Sequence, residues 1–86
     1  MFTKRTILTG SESVEGIDIN VSLEYEGTNP PTKVFINFVD GDVYAYGEVT
    51  TEGFENFNSN GGLVDCEILK IIESRCIKYL ADYESL

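Results

Sequence analysis

Histidine is absent from these 86 residues, and with it the side chain that most often serves as a general base near neutral pH. No glycine-rich phosphate loop, nucleophile elbow or metal-spaced cysteine cluster takes its place. Asp40-Gly41-Asp42 has the opening of a calcium loop, but the other EF-hand ligands and their spacing are missing. A hairpin turn accounts for it better. Because 15 side chains are acidic, some carboxylates fall near one another by chance, so a carboxylate pair carries no specific acid–base signal. The expectation is a protein that is not an enzyme, with no catalytic residue, no cofactor and no metal.

Bases are scarce. Six lysines and arginines stand against the 15 acids, for a net charge of −9. The imbalance is concentrated between Thr6 and Leu69, where 12 carboxylates face Lys33 alone, a local charge of −11. Residues 70–86 are balanced. Such a chain is repelled by the phosphates of bare nucleic acid and is drawn to basic partners, of which nucleic-acid-binding proteins are the largest class. Prolines are few and adjacent: Pro30 and Pro31 lack backbone donors and belong to a loop. Cysteine occurs twice. Cys66 and Cys76 fall on one expected helix, roughly 15 Å apart along its axis and so beyond disulfide reach. They read as reduced, partly buried thiols of a cytosolic protein. Cys66 lies where a helix N-terminus activates a thiol, but no partner base is visible. After Lys4 and Arg5 only Ile7 and Leu8 precede polar residues, which is no signal peptide, and no apolar run reaches membrane-spanning length. The expected location is the cytoplasm, without a membrane partner.

What the chain does have is a strong hairpin signal between Lys33 and Val49. Two β-prone runs, Lys33–Val39 and Asp42–Thr50, flank Asp40-Gly41, and Asp-Gly suits a type I′ turn. With Asp40 and Gly41 as the turn, Phe38 meets Val43, Ile36 meets Ala45 and Val34 meets Gly47 on an aliphatic face. Asn37 meets Tyr44, Phe35 meets Tyr46 and Lys33 meets Glu48 on the other. Opposite charges at the last pair agree with this register.

Ile17 to Tyr25 alternates apolar and polar residues over nine positions, the signature of a strand with one buried face. Phe2–Thr9 reads as a further strand and Gly10–Gly16 as a polar loop. Thr51 caps an expected short helix, with Phe54 and Phe57 three apart on one side. Gly61-Gly62 breaks the chain. Leu63–Tyr83 then carries Ile68, Leu69, Ile72, Cys76, Tyr79, Leu80 and Tyr83 on one helical stripe, with Ile71 and Ile77 off it. These elements amount to one α+β domain over residues 1–86. Its expected form is an antiparallel four-stranded meander sheet with a short helix and a long C-terminal helix packed on one face.

Two features of the expected wet face point to binding. The wet face and its loops carry carboxylates at Asp18, Glu24, Glu26, Asp42 and Glu48, with Glu26 opening a loop expected to run to Thr32. The i, i+2 spacing of a strand, about 6.5–7 Å, resembles that of successive phosphates. Phe35, Tyr44 and Tyr46 are aromatic residues among polar ones, the usual make-up of a binding hot spot. Acids that merely solvate a sheet, aromatic pairs that merely stabilise it, and aromatics covered by another part of the chain are the alternatives.

Taken whole, the chain resembles the small acidic inhibitors encoded by bacteriophages, the anti-CRISPR and anti-restriction proteins. The likeness rests on short length, strong acidity, a small sheet with C-terminal helices and no enzyme motif. It implies an inhibitor of a host nucleic-acid-binding protein or CRISPR effector complex, acting in the host cytoplasm as a monomer or homodimer. The resemblance carries over no residue; the expected partner-binding residues come from the wet face itself and are Asp18, Glu24, Glu26, Phe35, Asp42, Tyr44, Tyr46 and Glu48. A small assembly adaptor that dimerises through its sheet face is the competing reading.

Overall fold

A computed structural model describes Phe2 and residues 4–86. Among the described residues five strands follow one another, each hydrogen-bonded to its sequence neighbours: β1 (Arg5–Val14), β2 (Ile17–Glu26), β3 (Lys33–Asp40), β4 (Val43–Thr50) and β5 (Gly53–Asn60). One helix, α1 (Cys66–Ala81), crosses one face of the sheet, and a 3₁₀ turn at Tyr83–Ser85 ends the chain. The expected architecture of four strands with a short and a long helix is therefore wrong. The segment read as a short helix is β5, and the loop expected at Gly10–Gly16 is mostly the second half of β1.

Each difference has a local cause. Glu15 and Gly16 both have positive φ, 51° and 80°, the pattern of a two-residue I′ turn. This lets Val14 pair directly with Ile17 and extends β1 by five residues beyond Thr9. In β5, Phe54 and Phe57 do face the same side, but through a bulge. Tyr46 pairs with Asn58 and Glu48 with Glu55, so Gly47 faces both Asn56 and Phe57. Asn56 takes the left-handed conformation, φ 56°. The extra residue shifts the alternation by one, giving a strand the i, i+3 spacing of a helix.

The β3–β4 hairpin is present, one residue later than expected. Asp40 pairs with Val43 and only Gly41 of the turn has positive φ, 62°. Gly at the first central position is the II′ pattern, and it spares an aspartate the left-handed region. Phe38 therefore meets Ala45, Val34 meets Val49 and Asn37 meets Tyr46. The shift moves every partner by two, which preserves the faces. Lys33 lies opposite Thr50 rather than Glu48, yet its Nζ still reaches Glu48 Oε2 diagonally at 3.1 Å.

The core lies between the sheet and α1. Ile17, Ile19, Leu23, Val34, Ile36, Phe38, Ala45 and Val49 meet Ile72, Cys76 and Leu80. Full burial of a side chain such as Phe38 or Ile36 is worth about 1.5–3 kcal/mol, and both are essentially inaccessible. Ile71 and Ile77 pack against the same core, so the buried arc of the helix is wide. Asp65 caps α1 by accepting from the Glu67 N–H at 2.8 Å, with Glu67 in the first turn and Lys78 in the last, both favourable to the helix dipole. Polar ties fix its position on the sheet. Arg75 Nη1 donates to Glu12 Oε2 at 2.7 Å and to the Ser13 carbonyl at 3.2 Å. At the opposite edge Glu73 accepts from the Phe54 N–H at 3.2 Å.

Candidate binding face

One face of the sheet holds the core, so the alternation that buries one set of side chains presents the other. The uncovered face carries a continuous row across all five strands: Ser11, Asn20, Asn37, Tyr46 and Asn58. Asn20 Nδ2 donates to Asn37 Oδ1 at 3.0 Å within it. The next row runs Thr9, Ser22, Phe35, Glu48 and Glu55. Amides and hydroxyls thus fill the middle of the face, and its acids lie towards the margins.

The aromatic candidates come together. Tyr44 and Tyr46, two apart on β4, lie with ring centroids 5.8 Å apart and planes tilted by 42°. Phe35, Tyr44, Tyr46 and Glu48 line one open depression of about 350 Å³ with Asn37, Asn56 and Asn58. All three rings are exposed, so no other part of the described chain covers them. Val39, directly opposite Tyr44 and 60% exposed, extends the patch. The sequence reading missed Val39 because the expected register put it beside the turn, opposite Asp42. It also missed Asn37 and Asn58; their signal was the strand parity they share with Phe35 and Tyr46.

The acidic candidates are divided. Asp18 stands at the far end of β2 with no partner among the described ion pairs, and Asp42 occupies the β3–β4 turn. Glu24 and Glu26 sit at the other end of β2, where Arg5 binds Glu26 at 3.1 Å and approaches Glu24 at 3.9 Å. Glu48 is held by Lys33, both partly shielded. The face therefore has no unbroken line of free carboxylates. Since exposed ion pairs hold their partners by only about 0–1 kcal/mol, Glu24 and Glu26 can exchange Arg5 for an external cation.

No group of three or more potential metal ligands occurs among the described residues. Cys76 is buried, but Cys66, expected to be partly buried, is exposed, because it opens α1 ahead of the stripe that meets the sheet. Burial, then the nearby Glu12 charge, pushes the Cys76 thiol up to about 12, the opposite of an activated nucleophile. Among the described residues no helix is long and apolar enough to cross a membrane. Comparison with protein-family models, curated proteins and solved structures finds no match.

Proposed function

We propose that this chain is a non-enzymatic inhibitory binding protein that lays its open sheet face on a basic surface of a nucleic-acid-binding complex, of which a CRISPR effector is the fitting case. The observation that carries the reading is the uncovered Phe35/Val39/Tyr44/Tyr46 patch with amides beside it and carboxylates around it. Aromatic anchors at the centre with charge at the rim is the layout of a protein–protein hot spot. In this layout Asp18, Glu24, Glu26 and Asp42 steer a basic partner and pair with its lysines and arginines at the rim. Tyr44, Tyr46 and Phe35 hold it once docked.

The test is inhibition of DNA cleavage by a panel of purified RNA-guided nuclease complexes, with binding measured at low and high salt. A supporting result is stoichiometric inhibition by one complex, weakened by salt and lost in Tyr46→Ala while the variant keeps its circular dichroism spectrum. Absence of binding and inhibition across CRISPR and restriction nucleases would remove the proposal and leave the adaptor reading in its place.

A further inference from the structure

We infer that β1 is a dimerisation edge: two copies of the chain pair antiparallel through Ile7–Ser11, about a two-fold axis at Thr9, to form one continuous sheet. The argument begins with backbone bonds. Gly27 N–H donates to the Lys4 carbonyl at 3.0 Å, which places the even-numbered residues of β1 in the hydrogen-bonded pairs with β2. The N–H and C=O groups of Ile7, Thr9 and Ser11 therefore point away from the sheet, and no described strand pairs with them. These three residues are symmetric about Thr9. In an antiparallel pair, Ile7 meets Ser11 of the second copy and Thr9 meets Thr9, which satisfies about six backbone bonds in all. The parity also keeps both helices on the same face of the joined sheet.

The two edges of the sheet are not equivalent. β5 is broken by the Asn56 bulge, and Glu73 takes the Phe54 N–H. Bulges and capped donors are how a sheet edge is made unfit for pairing. β1 has neither over Ile7–Ser11. Arg75 reaches the Ser13 carbonyl beyond that segment. The two charges of β1 are engaged within the chain, Arg5 with Glu26 and Glu12 with Arg75, so no free charge on the strand opposes another backbone.

The inner side of the edge favours a second copy over an unrelated strand. Gly10 leaves a gap there: a side-chain carbon at Gly10 would find only Val21, at 3.8 Å. Beside the gap is an apolar cavity of about 230 Å³ that includes Leu8, Val21, Leu23, Tyr79 and Leu86 in its lining. The same register that pairs Thr9 with Thr9 sets Leu8 of each copy opposite Gly10 of the other. Each chain thus supplies both the gap and the side chain that fills it.

The test is sedimentation equilibrium over protein from about 10 µM to about 500 µM, at low and high salt. Dimer is expected, and it should tighten with salt, because each copy carries −9 and screening removes the repulsion. Binding of a basic partner to the open face has the opposite salt dependence, so failure of one reading is distinguishable from failure of the other. Thr9→Pro removes an N–H that β2 does not use and should raise the dissociation constant roughly tenfold or more. Thr9→Lys, exposed in the monomer, should do the same by setting like charges opposite each other. Thr9→Cys in a Cys66→Ser background should cross-link on mild oxidation, whereas Ser13→Cys should not. A protein that stays monomeric throughout, a dimer indifferent to both Thr9→Pro and Thr9→Lys, or cross-linking without preference for position 9 would each overturn the inference.

Discussion

Cys66 and Cys76 share a helix and differ in almost everything else. A thiol reagent added to native protein should modify Cys66 at once and Cys76 only on unfolding, a difference that mass spectrometry of partial labelling would resolve. Cys76 also ties stability to alkaline pH. Its thiol is raised from 9.0 to about 12 in the fold, so above pH 9 the unfolded chain gives up a proton that the folded chain retains. The contribution is fully present below about pH 9 and is lost as pH rises towards about 12, at most about 4 kcal/mol. Thermal melts between about pH 8 and about pH 11 should fall steeply in the wild type and less steeply in Cys76→Ala. The stripe pattern was enough to place Cys76 among the core residues. Ile72, on the same stripe, is 2% exposed, and Ile72→Ala should cost roughly 2–5 kcal/mol in chemical denaturation. A cost below about 1 kcal/mol would mean that the site collapses without loss.

Among the elements, the clean alternation of β2 and the run into Asp40-Gly41 were legible because periodicity and turn chemistry agree there. β5 was not. A bulge restores one face after an odd step, so Phe54 and Phe57 carried a helix-like spacing, and three asparagines with a glycine offered no β-propensity to contradict it. Gly47 is the other half of this device. A Cβ there would lie 3.0 Å from both the backbone and the ring of Phe57. Gly47→Ala should therefore destabilise by about 1–3 kcal/mol, despite the lower entropy of its unfolded chain. Asn56→Gly should be close to neutral and Asn56→Val costly, since β-branched residues resist positive φ. If Gly47→Ala were instead stabilising, the close approach of Phe57 to β4 would be wrong. The register error in the β3–β4 hairpin was similarly local. It moved partners by two and left faces intact, which is why the exposed positions of Phe35, Tyr44 and Tyr46 were readable while Val39 was not.

At the scale of the whole molecule, the sign of the charge was legible and its arrangement only in part. Parity put Asp18, Glu24 and Glu48 on one face, and the expected hairpin already set Lys33 against Glu48, but only three dimensions bring Arg5 to Glu26. Asp18→Lys with Glu24→Lys should slow association with a basic partner, and the effect should shrink as salt is raised. Tyr46→Ala should instead mainly speed dissociation, by about 2 kcal/mol or more at a hot spot. Surface plasmon resonance at two ionic strengths separates the two effects. Equal changes in both rates for both variants would argue that the face acts as a single unit rather than as an anchor with a steering rim.

The nearest-neighbour order of the strands also governs how the chain acquires its shape. Each strand pairs with its neighbour in sequence, so the hairpins can form one after another as the polypeptide leaves the ribosome, without a distant strand having to arrive first. The helix follows all five strands in the sequence and is tied to β1, through Arg75 and Glu12. Until it emerges, the apolar side built from Ile19, Val34, Ile36 and Phe38 has nothing to cover it. Nascent chains halted before Cys66 are consequently the species that chaperones would meet, and completion of α1 is what covers the apolar side of the sheet.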